Sequence, residues 1–327
     1  MMRTTHVADN PAPNSDGTDP YSPPARRRPG ICHTVIAADG TRLAVYEYGT
    51  RDANQTVLLS HGWCLNRRCW TRQIARLRRR WGQEVRILAI EHRGHGDSDS
   101  APMSTYTPAQ LAADIADILT ALHVTGRLVM VGHSMGAMAL ISYLERPPEQ
   151  QPVAPAGLVL IATAAGNLTE YGLGRLLATP LVDLVVDLVG HVPDHALRVL
   201  ARPLCAALSR RIGCGINERA TLAALCTDAL ASTPLRTAVG YLPALRDFNQ
   251  LHTLPSIHAA TTVISGADDV LTPPSHGYEI AARIAGAVHL NLPRAGHMIP
   301  LQFPGVITDA INALLRPGAT GAAVIGA

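Results

Sequence analysis

The chain has 327 residues, of which 47% are hydrophobic and 16% charged, with a formal net charge of +3. That length suits one large α/β domain with an insertion, or two domains, and the apolar content excludes a globally disordered chain. The small charge and the lack of a basic stripe interleaved with aromatics leave no footprint for nucleic acid, and no apolar stretch reaches the ~20 residues that span a bilayer.

Residues 1–30 are rich in Pro, Asp, Ser and Thr and end in Arg26-Arg27-Arg28-Pro29. A twin-arginine export signal needs an apolar stretch after the arginines, whereas Ile31-Cys32-His33-Thr34-Val35 leads straight into a strand. Residues 1–30 therefore read as a disordered tail, not a targeting peptide. Strands are expected at His33 to Ala38 and Thr41 to Tyr48, flanking Asp39-Gly40, a two-residue hairpin signal. The run Thr56-Val57-Leu58-Leu59 reads as a buried strand and is followed by His61-Gly62-Trp63. An arginine-rich helix over 67–80 leads to a strand at Val85 to Ile90. In a helix over 108–123, Leu111, Ile115, Ile118, Leu119 and Leu122 recur at the 3–4 spacing of one buried face.

A strand at 127–131, a helix at 135–145 and a strand at Gly157 to Ala162 continue the alternation. From 165 to 256 only helix-like segments follow, at 180–189 and near 194–209, 218–231 and 235–248. Strand and helix then alternate again, with a strand at 261–265, a helix near 276–285, a strand at 287–292 and a closing helix near 305–316. Alternation of this kind implies an α/β fold with a doubly wound, mostly parallel sheet covered on both faces. The expected organisation is a core over 31–164 and 257–317, a helical cap insertion over 165–256, and a flexible tail over 318–327. The six cysteines, at 32, 64, 69, 205, 214 and 226, form no Cys-x-x-Cys pair and have no histidine at zinc-ligand spacing. Free thiols in a reducing cytoplasm are expected, with no metal and no cofactor.

Gly132-His133-Ser134-Met135-Gly136 directly follows Leu128-Val129-Met130-Val131. A strand that ends in Gly-x-Ser-x-Gly and then opens a helix builds a nucleophile elbow, in which the glycines allow the tight turn and the serine hydroxyl stands exposed. A serine becomes a nucleophile when a base removes its proton and a third group orients that base. His297 lies between the last strand and the last helix, where the base is expected. After strand 261–265, Asp268 and Asp269 compete as the acid. Successive side chains in an extended segment point in opposite directions, and Asp269 is favoured. The backbone amides of Trp63 and Met135 are the candidate oxyanion donors. In the region after 165, Leu181, Leu184, Val185, Leu188 and Val189 either pack onto the main domain or line an apolar acyl tunnel. Arg198, Arg202, Arg210 and Arg211 read as a solvated basic face.

His61-Gly62-Trp63, His92 to Ser98, the Gly-His-Ser-Met-Gly run, Gly266 to Asp269 and Gly296-His297 resemble, in order, the motifs of the α/β-hydrolase superfamily of serine hydrolases. The resemblance covers about residues 33–316. It implies an eight-stranded sheet, Ser134 as nucleophile, His297 as base, Asp269 as orienting acid and a helical cap after the sixth strand. Epoxide hydrolases and haloalkane dehalogenases place aspartate where this chain has Ser134. The segment from His61 to Asn66 is similar to cofactor-free haloperoxidases and perhydrolases, which usually carry proline at Cys64. Glu91 reads as a structural loop carboxylate. The expected function is cleavage of carboxylic esters of apolar small molecules or lipids. The alternatives are carbon–carbon or thioester hydrolysis, peroxide chemistry with the same triad, and a ligand sensor without turnover.

Overall fold

The computed structural model describes residues 4–5, 30–192 and 233–316. Its strands are β1 (Thr4–Thr5), β2 (Ile31–Ile36), β3 (Arg42–Tyr48), β4 (Gln55–Ser60), β5 (Val85–Ile90), β6 (Arg127–His133), β7 (Gly157–Ile161), β8 (Ala260–Gly266) and β9 (Val288–Leu292). The helices are α1 (Thr71–Trp81), α2 (Pro108–Ala121), α3 (Met135–Glu145), α4 (Leu181–His191), α5 (Leu235–Gly240), α6 (Leu242–Arg246), α7 (Pro274–Arg283), α8 (Ile299–Gln302) and α9 (Pro304–Leu315).

One sheet runs in the order β1-β9-β8-β7-β6-β4-β5-β3-β2. Its strands are parallel except where β3 pairs with β2 and with β5. The eight strands anticipated from the sequence are β2 to β9. Thr4 and Thr5, within the stretch expected to be a tail, add a two-residue edge by pairing with His289 and Leu290. The hairpin differs from expectation. Ala37 N–H donates to Thr41 O at 2.9 Å, so the turn takes the three residues 38–40, with Gly40 at φ 86°. A left-handed glycine closing a three-residue loop replaces the two-residue turn that Asp39-Gly40 suggested.

Alternation along each central strand divides the core in two. Val57 and Leu59 of β4 and Val129 and Val131 of β6 join the cluster that packs against α1 and α9. Leu58, Leu128 and Met130 face the opposite cluster, with α2, α3 and α7. Side chains that point alternately to two covered faces explain why these strands read as unbroken apolar runs. Helix α3 is buried along Met135–Tyr143, between the sheet and the rest of that layer.

Strand order reverses at β4, which lies between β5 and β6. The carboxyl ends of strands on either side of such a reversal leave a crevice where ligands bind in doubly wound folds. The sequences that end β4 and β6 are Ser60-His61-Gly62-Trp63 and His133-Ser134. Among the described residues no helix is long and apolar enough to cross a membrane.

Candidate active site

The turn after β6 holds Ser134 at φ 52° and ψ −121°. For a residue with a side chain this region costs about 1–3 kcal/mol and persists only where its surroundings over-determine it. They do so here. Ser134 N–H donates to Ile161 O at 2.9 Å, and Ser134 O accepts from Ala137 N–H at 2.9 Å and Met138 N–H at 3.1 Å. Thr163 Oγ1 donates to the same carbonyl at 3.0 Å. Gly136 has no room for a side chain, since a Cβ there would lie 2.3 Å from Ser60 O and 2.4 Å from His61 O. The Ser134 side chain does not cap α3, and its hydroxyl has no hydrogen-bond partner among the described residues.

His297, in the loop between β9 and α8, is buried with 8% of its surface exposed. Its Nδ1 lies 2.8 Å from Asp269 Oδ2. Asp269 follows β8 and is buried, whereas Asp268 is exposed. The Asp269 carboxylate also accepts Leu271 N–H at 2.8 Å, Thr272 N–H at 3.0 Å and the Thr272 hydroxyl at 2.9 Å. Burial pushes this carboxyl up, but the His297 imidazole and the Thr272 donors outweigh it and hold the group below its ordinary value. A carboxylate that only accepts fixes the proton of neutral His297 on Nδ1 and leaves Nε2 bare. The backbone N–H groups of Trp63 and Met135 have no partner among the described residues. Unpartnered amides of this kind are donors that an oxygen gaining negative charge would accept.

A model of the alpha/beta hydrolase family matches residues 57–310. The chain belongs to the alpha/beta hydrolase family. A hydrolase from Pseudomonas aeruginosa of known crystal structure superposes with a TM-score of 0.71 at 28% identity, over 88% of this chain and 98% of that one. "Probable oxidoreductase EphD" of Mycobacterium tuberculosis is 25% identical over 296 residues, 85% of this chain and 48% of that protein. The chain thus spans about half the length of the mycobacterial relative. The "sn-1-specific diacylglycerol lipase ABHD11" of Mus musculus is 25% identical over 231 residues, 70% of this chain and 71% of that protein.

A group of buried imidazoles lies under the loop that carries Trp63. His61 Nδ1 donates to Gly62 O at 2.8 Å while its Nε2 accepts His92 N–H at 3.1 Å. His95 Nε2 accepts Cys64 N–H at 3.1 Å while its Nδ1 donates to Arg93 O at 3.1 Å. His92 Nε2 lies 3.0 Å from Ser60 Oγ. These bonds assign neutral rings to His61 and His95. Burial, and then the neighbouring imidazoles, push His61 well down and His92 down to about 3. Burial alone lowers His95 to about 4. Glu91 is buried beneath the same loop and pairs with Arg67 at 2.9 Å.

A histidine near 6.5 in the unfolded chain binds a proton as pH falls below that value, while its buried counterpart stays neutral down to about 3 or 4. The stability contributed is full above 6.5 and is lost as pH falls from there, at about 1.4 kcal/mol per pH unit per histidine. The urea midpoint at pH 5 should therefore lie well below that at pH 7.5. A midpoint unchanged between the two would contradict the neutral cluster.

The structure brings together Asp269 and His297, and it sets Asp268 apart on the surface. Trp63 has a second attachment, as its indole Nε1 donates to Ala238 O of α5 at 3.0 Å. Of the apolar residues expected to pack or to line a tunnel, Val189 is buried against Val239. Leu181, Leu184 and Leu188 are 62%, 63% and 60% exposed. The positions repeat every three or four residues, so they share the flank of α4 that turns away from its buried Val182 and Val189. Arg198, Arg202, Arg210 and Arg211, the helical segments near 194–209 and 218–231, and Cys205, Cys214 and Cys226 lie outside the described residues. Cys32, Cys64 and Cys69 form no disulfide.

Two residues at the site escaped sequence reasoning. Thr272 braces Asp269 and also lies 3.3 Å from His297 Nδ1. Its signal was a threonine three residues after the carboxylate, just before Pro273. His133, inside the serine motif, donates from Nε2 to His297 O at 2.9 Å. Nothing local in the sequence marks that contact.

Proposed function

We propose that the chain is a serine hydrolase that cleaves carboxylic esters of apolar small molecules or lipids through an acyl-enzyme on Ser134. The observation that carries this reading is the 2.8 Å Asp269–His297 bond, beside a strained serine with an unengaged hydroxyl. Ser134 Oγ attacks the ester carbonyl and His297 Nε2 takes its proton. The oxyanion is held by the N–H groups of Trp63 and Met135. His297 then protonates the leaving alcohol, and water activated by the same nitrogen releases the acid. Asp269 keeps the imidazole in the required tautomer and stabilises the imidazolium.

In this proposal the described residues of 165–192 and 233–256 belong to a cap over the site, while 193–232 lie outside the described residues. The described part is anchored to the main domain where Trp63 meets Ala238, and where Tyr106 OH lies 3.1 Å from Thr237 Oγ1. The mouse relative's name denotes a lipase, which fits an ester with apolar arms. Initial rates across p-nitrophenyl esters of increasing acyl length, with Ser134→Ala as control, test the proposal. Each CH₂ buried in an apolar site is worth ~0.8 kcal/mol, so kcat/KM should rise about fourfold per CH₂ until the site is full. No Ser134-dependent turnover at any length would move the reading to thioester, carbon–carbon or peroxide chemistry.

A further inference from the structure

We infer that His133 is a positioning residue: its imidazole sets the spacing between the nucleophile, the base and the oxyanion strand end. The inference rests on the hydrolase reading above. Three segments far apart in sequence meet on this ring. His133 is covalently next to Ser134, and its Nε2 donates to the main-chain carbonyl of His297 at 2.9 Å. The two rings stand 5.0 Å apart between centroids. On the other side lies Gly62, the residue before the proposed oxyanion donor Trp63. A Cβ at Gly62 would fall 2.7 Å from His133 Nδ1 and 3.2 Å from Ser134 Cβ. The backbone at the end of β4 therefore lies directly against the ring, with no side chain between.

The ring is 1% exposed, and its Nδ1 is buried without a hydrogen-bond partner. Protons occupy one ring nitrogen only, because Nε2 must carry one to reach a carbonyl oxygen and Nδ1 has nothing to receive another. Burial, and then the neighbouring His297, lower this group to about 3, so the donor stays in place and uncharged at neutral pH. An imidazole that served only to fill space would be replaceable by an apolar ring. This one has one nitrogen bonded to the chain of the base and the other facing the oxyanion strand. A fixed separation between Ser134 Oγ and His297 Nε2 matters because misplacement of about 1 Å costs on the order of 100-fold in rate.

The test compares ester hydrolysis and urea midpoints of the full chain with its His133→Phe, His133→Gln and Ser134→Ala variants. His133→Phe keeps a flat ring without a donor, and kcat is expected to fall about 100-fold with KM changed less than about threefold. His133→Gln restores an N–H donor and is expected to recover at least about tenfold of that loss. Full kcat in His133→Phe would overturn the inference. So would equally slow Phe and Gln variants with wild-type midpoints, since a bond that matters should be rescued. Nitrogen-15 spectra of the wild-type imidazoles give a reading independent of any variant. The proton of His133 should sit on Nε2 from about pH 5 to 8, and the other tautomer or a charged ring would overturn the inference. Undiminished hydrolysis in Ser134→Ala would overturn the nucleophile itself, a failure distinct from the tautomer result.

Discussion

Replacing Ser134 by alanine should lower ester turnover about 10⁶-fold while leaving the chain folded. Both halves of that expectation come from the turn after β6. The hydroxyl makes no hydrogen bond among the described residues, so its removal leaves no buried donor or acceptor unpaired. The backbone bonds that hold Ser134 at φ 52° belong to its own N–H and C=O, and alanine keeps them. Stability should change by less than about 1 kcal/mol. Activity is different, because in the proposed reaction the Ser134 hydroxyl is the attacking group. Retention of even a tenth of wild-type turnover would remove Ser134 from the reaction.

Asp269→Asn should cost about 10⁴-fold in kcat, and Asp268→Asn less than about twofold. Asp269 accepts at both oxygens, with Leu271 and Thr272 amides on Oδ1 and the Thr272 hydroxyl and His297 Nδ1 on Oδ2. An amide NH₂ in place of Oδ2 would donate to Nδ1 and force the proton of His297 onto Nε2. A base whose lone pair faces away from the serine cannot take its proton. An NH₂ turned toward the Leu271 and Thr272 amides would instead set donor against donor. Asp268 is exposed, and among the described residues only its backbone is engaged, through a bond from its N–H to Ala295 O at 2.9 Å. Steady-state rates of the two variants decide the matter. Equal losses would mean that the acid has been misplaced.

Legibility in the sequence followed the range of the forces involved. The strand Val85–Ile90 and the helix Met135–Glu145 were readable to the residue because continuous burial shows as continuous apolar sequence. The segment expected as one helix over 235–248 is two, Leu235–Gly240 and Leu242–Arg246. Pro243 explains the break, since it has no N–H to bond and its ring clashes with the carbonyl four residues earlier. Alternation implied that only one of Asp268 and Asp269 faces His297, and the choice of Asp269 came with the family motif. In the structure the two sit in a turn after β8, closed by Asp269 N–H to Gly266 O at 3.1 Å. His133 was not legible, as its partner lies 164 residues away in the chain. The burial of Val189 and the exposure of the α4 leucines were not legible for a related reason. An apolar helix shows in the sequence, but which of its faces finds a neighbour depends on packing against Val239 of α5.

The most direct measurement is the mass of the chain after reaction with a slowly released ester or a fluorophosphonate, followed by peptide mapping. One adduct per chain is expected, on the peptide that carries Ser134, and none in Ser134→Ala. An adduct on another residue, or full turnover with no covalent species trapped at Ser134, would contradict hydrolysis through an acyl-enzyme.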